Sequence, residues 1–218
     1  MDRLKGKIAK GILILFFILS AFTLKDDRFF PCGEGDSAVF LQSLYKYFQK
    51  IDLIELGFEE KVFIPFLGKW NDFKGKALYR LRTNLFMLEL KNETKDRYIS
   101  NGRKIIYEYT DDGRTKLSEY DTYDESLAYL VPDEKKWTYF DKTVFRNSEN
   151  DYLVRLVPKD ETFEFEYVEF IIKKRNFALS EIAFLGRDKR ILHFRINGIT
   201  FPEYSEKKIR ELFRISDE

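Results

Sequence analysis

Cysteine and histidine are nearly missing: the 218 residues hold one of each, Cys32 and His193. A single cysteine excludes an intrachain disulfide, and one His with one Cys falls short of any zinc-type ligand set. His193 lies in the alternating run ILHFRI, out of phase with Leu192, Phe194 and Ile196. It reads as a strand residue facing solvent, because a catalytic imidazole needs an orienting partner. Surplus charge is missing too: 38 Lys+Arg stand against 37 Asp+Glu, which gives no basic footprint for nucleic acid. Phosphate-cradling loops are absent, since Gly33-Glu34-Gly35 precedes a helical pattern but follows no strand. Glu164 and Glu166 share one strand face, which suits a solvated sheet surface better than an acid/base pair. The chain therefore reads as non-enzymatic, with no cofactor and no metal.

Long hydrophobic runs are scarce as well. The longest uncharged stretch, Gly11–Leu24, has fourteen residues, short of the ~20 that cross a bilayer. It follows Arg3, Lys5, Lys7 and Lys10, and small residues stand at Ser20 and Ala21. A basic segment before a short apolar run is the pattern of a secretory signal peptide, here 1–21, with an uncleaved N-terminal anchor as the alternative. Removing 1–21 takes away a surplus of three positive charges and leaves a net charge of −2. Residues 22–35, with Pro31, Gly33 and Gly35, read as a flexible leader. Lipidation of Cys32 would need a small residue before it, directly after the apolar run. Phe29-Phe30-Pro31 and the polar Lys25–Arg28 stand there instead.

What the chain has in abundance is aromatic side chains, 22 Phe and 13 Tyr. Each buries a large area, so they suit a β-rich core or an apolar ligand cavity. Residues 36–218 are long enough for one domain. Asp36-Ser37 caps an amphipathic helix to Ile51, with Val39, Phe40, Leu41, Leu44, Tyr47, Phe48 and Ile51 at helical spacing. Shorter alternating runs follow. Leu53–Phe66, Lys76–Arg82, Leu85–Asn92, Arg97–Ser100, Arg103–Tyr109 and Thr115–Tyr120 form an antiparallel meander, with Asn101-Gly102 as its strongest turn signal. Thr122–Phe145 breaks the rhythm: Leu127, Leu130, Trp137, Phe140 and Phe145 predict two short helices divided by Pro132. Strands resume at Tyr152–Pro158, Phe163–Lys173, Ala178–Leu185 and Arg190–Ile196. FEFEYVEFII slips phase by one residue, which predicts a bulge. SEKKIRELF fits either a final helix capped by Ser205 or a strand.

Phe86, Leu88 and Leu90 on one strand, with Ile105, Tyr107 and Tyr109 on another, give one sheet face large side chains, and Leu78 is grouped with them. Two outcomes stay open at this point. A closed barrel would fill with these side chains. A sheet that stays open would leave an apolar trough needing a lid, for which Phe40, Leu44 and Phe48 on the first helix, and Leu127, Leu130, Trp137 and Phe140 in the helical insertion, are the candidates.

Four local stretches resemble the periplasmic outer-membrane lipoprotein carrier family (LolA-like). Arg82-Thr83-Asn84-Leu85-Phe86 is similar to its R-P-x-x-F element, with Thr83 for the proline. Ile99-Ser100-Asn101-Gly102-Arg103-Lys104 resembles its S-D-G-K hairpin, and Leu156-Val157-Pro158-Lys159 its L-x-P-K strand ending. Phe58-Glu59-Glu60-Lys61 is similar to its F-x-Q segment, with the glutamine lost. Ile106 stands where the family often has Trp, and the final F-x-x-P is not evident. The resemblance spans roughly 36–200 through the order and spacing of these elements. It implies a mainly β (α+β) fold: an incomplete antiparallel β-barrel, a curved meander, with a helical lid over an apolar cavity. It implies a monomeric periplasmic carrier that takes lipoprotein acyl chains from an inner-membrane ABC-type release complex and passes them to an outer-membrane receptor lipoprotein. For Arg82 it implies a latch, a guanidinium hydrogen-bonded to lid carbonyls that holds the empty carrier closed. Alternation puts Arg82 on the face of Leu78 and Arg80, so either Arg80 also points inward or a bulge intervenes.

Overall fold

The computed structural model describes residues 29–83, 85–91, 95–101, 104–111, 114–120, 131–147, 149 and 151–214. The segment 1–21, Leu127 and Leu130 lie outside them. Among the described residues twelve antiparallel strands form one open sheet. In chain order they are β1 (Phe30–Pro31), β2 (Leu53–Ile64), β3 (Lys69–Arg80), β4 (Leu85–Leu90), β5 (Arg97–Ser100), β6 (Ile105–Asp111) and β7 (Arg114–Tyr120), then β8 (Phe140–Arg146), β9 (Asp151–Pro158), β10 (Phe165–Lys173), β11 (Leu179–Gly186) and β12 (Ile191–Thr200). Helix α1 (Glu34–Phe48) precedes β2, and α2 (Glu206–Leu212) follows β12.

Two meanders, β2–β7 and β8–β12, meet where β12 pairs with β2, from Ile191↔Phe63 to Thr200↔Glu55. β7 ends one side, and β1 borders β8 on the other. The chain is thus mainly β, an open antiparallel meander, as expected, and its edges do not pair into a closed barrel.

Alternation along each strand sorts side chains to two faces. On the inner face Leu56, Phe58, Tyr79, Phe86, Val154, Phe170, Ile182 and Phe194 join one large apolar cluster with α1. The helix buries Phe40, Leu44, Tyr45 and Phe48 against it. Phe40 stacks on Tyr152 of β9 with ring centroids 3.7 Å apart, while Tyr47 meets Phe177 in the β10–β11 turn. On the outer face Leu53, Leu78, Leu85, Ile99 and Ile106 pack against Ile209 and Phe213, so the ambiguous tail is a helix. Ser205 caps it, its Oγ accepting from the Lys208 N–H at 3.3 Å.

Three local outcomes differ from the sequence reading. The first helix starts at Glu34, ahead of Asp36-Ser37, with Gly33 at its N-cap and no side-chain cap. Within the expected leader, Phe30 and Pro31 pair with Arg146 and Phe145, where the sheet offers β8 an otherwise open edge. The expected second short helix is a single 3₁₀ turn, Lys136–Tyr139, followed at once by β8. Phe140 and Phe145 therefore belong to a strand, and Phe140 is floor rather than lid. Pairing with β9, as in Val144↔Val154, decides this against the local helical spacing. The bulge expected in β10 is present as a register shift between Phe165 and Tyr167.

Candidate functional site

A cavity of about 540 Å³ opens beneath the C-terminal end of α1. Its apolar wall has three sources. Tyr45 and Phe48 come from the last turns of α1, where helical spacing turns both toward the sheet. Tyr79 comes from the end of β3, on the inward phase with Ala77. Ile51, Leu81 and Val131 come from the connections between elements. Leu81 is held there because its N–H donates to the Asp52 carbonyl at 2.9 Å.

The mouth is polar, built from Gln49, Arg82, Asp133, Glu134, Lys135 and Lys136. Asp133 fixes this rim: its carboxylate accepts from the Lys136 N–H and its carbonyl from the Trp137 N–H, both at 2.9 Å. Burial pushes the Lys136 ammonium below the usual lysine range, and burial, with Glu134 and Asp133 nearby, pushes the Tyr45 phenol up. An apolar chamber with a charged rim suits a ligand with a hydrocarbon body and a polar head.

None of the seven residues expected to line an acyl-chain cavity is in the wall of this one, although six of them share the inner face from which Tyr79 reaches it. Phe86 stacks on Tyr79, itself a cavity wall, with centroids 5.9 Å apart. Leu88, Leu90 and Ile105 belong to or pack against the same cluster. Tyr107 stacks on Tyr98 at 4.7 Å and on Tyr109 at 5.1 Å, a ladder across β5 and β6. Leu78 is the exception and a correction: it pairs with Met87 on the outer face, in the cluster beneath α2. The residue that faces inward is its neighbour Tyr79.

Among the expected lid residues, Phe40, Leu44 and Phe48 pack α1 on the inner face. Trp137 is fully buried in the 3₁₀ turn, edge-on to Tyr45 at 5.7 Å. Phe140 opens β8, stacked on Phe165.

Arg82 sits in the turn after β3, exposed, on the rim that also carries Asp133 and Glu134. Among the described residues none accepts a hydrogen bond from its guanidinium. The contact between elements is made by Arg80, which points outward and donates to Glu206 of α2 at 3.1 Å and to Asp52 at 3.4 Å. The question of faces resolves simply: β3 ends at Arg80, so alternation does not constrain Arg82.

Sequence reasoning missed Tyr45, Tyr79, Leu81 and Val131. Tyr45 lies four residues after Leu41 and three before Phe48, so the helical pattern already held it. Leu81 and Val131 carry no periodic signal, being in connections.

A second cavity, also about 540 Å³, lies at the other end of the inner face, with Phe163, Phe165, Phe184 and Leu192 among its lining. Elsewhere, His193 hydrogen-bonds Glu181 at 2.9 Å across neighbouring strands, and that bond holds the Glu181 carboxyl below its usual range. Glu166 pairs with Lys189. Glu60 is the inward carboxylate that stands out. It is 9% exposed between Phe194 and Phe73 on neighbouring strands, and burial pushes its carboxyl up to about 7. No group of three metal-ligating side chains occurs among the described residues.

No family model matches the chain, and no curated protein matches it. Solved structures similar to it include a LolA superfamily protein from Nitrosomonas europaea, at 9% identity over 77% of this chain and 96% of that one, TM-score 0.42. MucB is similar at 12% identity and TM-score 0.47, over 81% of this chain, which spans 62% of MucB. A putative outer membrane lipoprotein-sorting protein domain from Vibrio parahaemolyticus is similar at 5% identity, over 79% of this chain and 98% of that one, TM-score 0.42. The likeness is one of fold and assigns no activity.

Proposed function

We propose that the chain is a periplasmic, non-enzymatic carrier that shields lipoprotein acyl chains between the inner and outer membranes. The observation that carries this reading is the cavity of about 540 Å³ under α1, apolar within and charged at its rim. Burial of a hydrocarbon there gains roughly 25 cal/mol per Å² removed from water, while the headgroup stays at the rim. The basic and then apolar N-terminus and the four motif resemblances support export and the lipoprotein cargo. An inner-membrane ABC-type release complex then supplies the cargo and an outer-membrane receptor lipoprotein accepts it. Acyl chains longer than the cavity displace the Val131–Lys136 rim from α1, which gives an open and a closed state for Arg82 to bias.

The test is uptake of a fluorescent fatty-acyl probe by delipidated protein, with Leu81→Trp filling the chamber. Saturable uptake lost in the variant supports the proposal, and no uptake by folded protein rejects it.

A second reading is favoured by one observation: Phe86, Trp137 and Phe170 are almost wholly buried, so the inner face is already packed by its own side chains. The chain would then be a membrane-anchored module that binds a protein partner. Mass spectrometry of the mature N-terminus separates the two. A start near Ala21 or Phe22 fits the carrier, an intact Met1 the anchored module, and a lipid-modified Cys32 a receptor-type lipoprotein.

A further inference from the structure

The β2–β3 hairpin projects beyond its neighbours. Both strands are twelve residues long and paired throughout, from Leu53↔Arg80 to Ile64↔Lys69. On one side β12 pairs as far as Phe63, one residue short of the end of β2, and on the other β4 reaches only Gly75. The tip therefore projects well past β4 and by one strand residue past β12, and it carries apolar side chains where a turn is ordinarily polar. Phe66 is 84% exposed and Leu67 52% exposed. Gly68 closes the reversal with φ of 59°, a left-handed conformation open to glycine at no steric cost.

We propose that this tip inserts into a lipid bilayer and turns the hairpin end of the inner face toward the membrane. Two side chains on a narrow projection are far fewer than the ~20–30 residues a side of a stable protein interface. A bilayer needs no shape complementarity, only apolar depth. Trp70 packs on Phe63 at 5.0 Å just behind the tip, the level at which an aromatic ring meets headgroups, and exposed Lys69 reaches outward beside it. The second cavity lies at this same end, since its wall residue Leu192 pairs with Val62 of β2. Charges around that cavity are mixed: Arg187 and Arg190 stand with Glu164 and Asp188. Attachment is therefore driven by apolar insertion and depends little on headgroup charge.

The proposal stands apart from the cargo reading, because tip insertion and probe uptake are separate measurements. The test places an indole at the tip of the full chain by Phe66→Trp, with the unsubstituted protein as baseline for Trp70 and Trp137. A control, Phe201→Trp, labels the other end of β12, which lies about 30 Å away along the strands. With phosphatidylcholine vesicles the tip indole is expected to shift its emission to the blue by about 10 nm or more, and to be quenched by lipids brominated in their acyl chains. The control indole is expected to do neither. An unshifted tip indole, an equal response from the control, or a response seen only with anionic lipid and abolished by salt overturns the proposal. A tip that serves a protein partner gives the first of these. Because the reporter is local, attachment of the chain through any other segment does not mimic a positive result.

Discussion

Arg80 and Arg82 are two residues apart and serve opposite sides of the molecule. Arg80, the last residue of β3, points to the outer face and holds α2 through Glu206, while Arg82, beyond the strand end, stands on the rim of the cavity under α1. One ties down a structural helix. The other has no hydrogen-bond acceptor among the described residues and stands where a ligand's polar head would meet the rim.

The first expectation concerns that outer helix. Ile209 and Phe213 bury against β2–β6, and Phe213→Ala is expected to cost about 3–5 kcal/mol in urea unfolding. Arg80→Ala is expected to cost much less, because Glu206 is solvated and the pair is screened by salt. Hydrogen exchange should show α2 loosened in Arg80→Ala and α1 unchanged.

Arg82→Leu is expected to leave acyl-probe uptake intact and to slow release to acceptor membranes by roughly tenfold, the ~1.4 kcal/mol by which the rim charge is proposed to bias the closed state. Stopped-flow transfer of the probe measures it. Unchanged transfer removes Arg82 from the release step.

Much of this was legible beforehand, and the reasons are local. The bulge in β10 announced itself because Phe163 and Phe165 alternate one way, and Val168, Phe170 and Ile172 the other. The shared face of Phe86, Leu88 and Ile105, and of Tyr107 stacked on Tyr98, follows from period two. Leu78 goes to the wrong face when alternation is carried back from an inward Arg82, because β3 stops at Arg80 and the phase does not extend that far. Phe140 and Phe145 fit a helical spacing as well as a strand. Only pairing with β9, a contact distant from the local pattern, made them strand. The cavity itself was hidden for the same reason, as Leu81 and Val131 reach it from loops.

Glu60 makes stability depend on pH. Its carboxyl titrates near 4.5 when unfolded and near 7 when buried, so the folded chain holds a proton that the unfolded chain releases. Stability is full below about pH 4.5 and falls as pH rises through 7, by roughly 2–4 kcal/mol for this group. Glu60→Gln should remove that slope and raise the melting temperature at pH 8 relative to the parent. Thermal unfolding at pH 5 and pH 8 measures it, and an unchanged slope rejects the assignment.

Gly75 lies where β3 crosses the Phe58 ring. A Cβ there would come within 2.6 Å of the ring and 2.4 Å of the Glu89 carbonyl oxygen. The carbonyl cannot give way without moving β4, so Gly75→Ala is expected to destabilise by about 2–3 kcal/mol. The urea midpoint reports it.

The central claim is that the chamber under α1 holds an acyl chain, and equilibrium titration of delipidated protein with a fluorescent fatty-acyl probe tests it most directly. The expected result is saturable uptake competed by unlabelled fatty acid and weakened about tenfold or more in Leu81→Trp, whose melting temperature stays near that of the parent. No saturable uptake by folded protein, or equal uptake by Leu81→Trp, contradicts it.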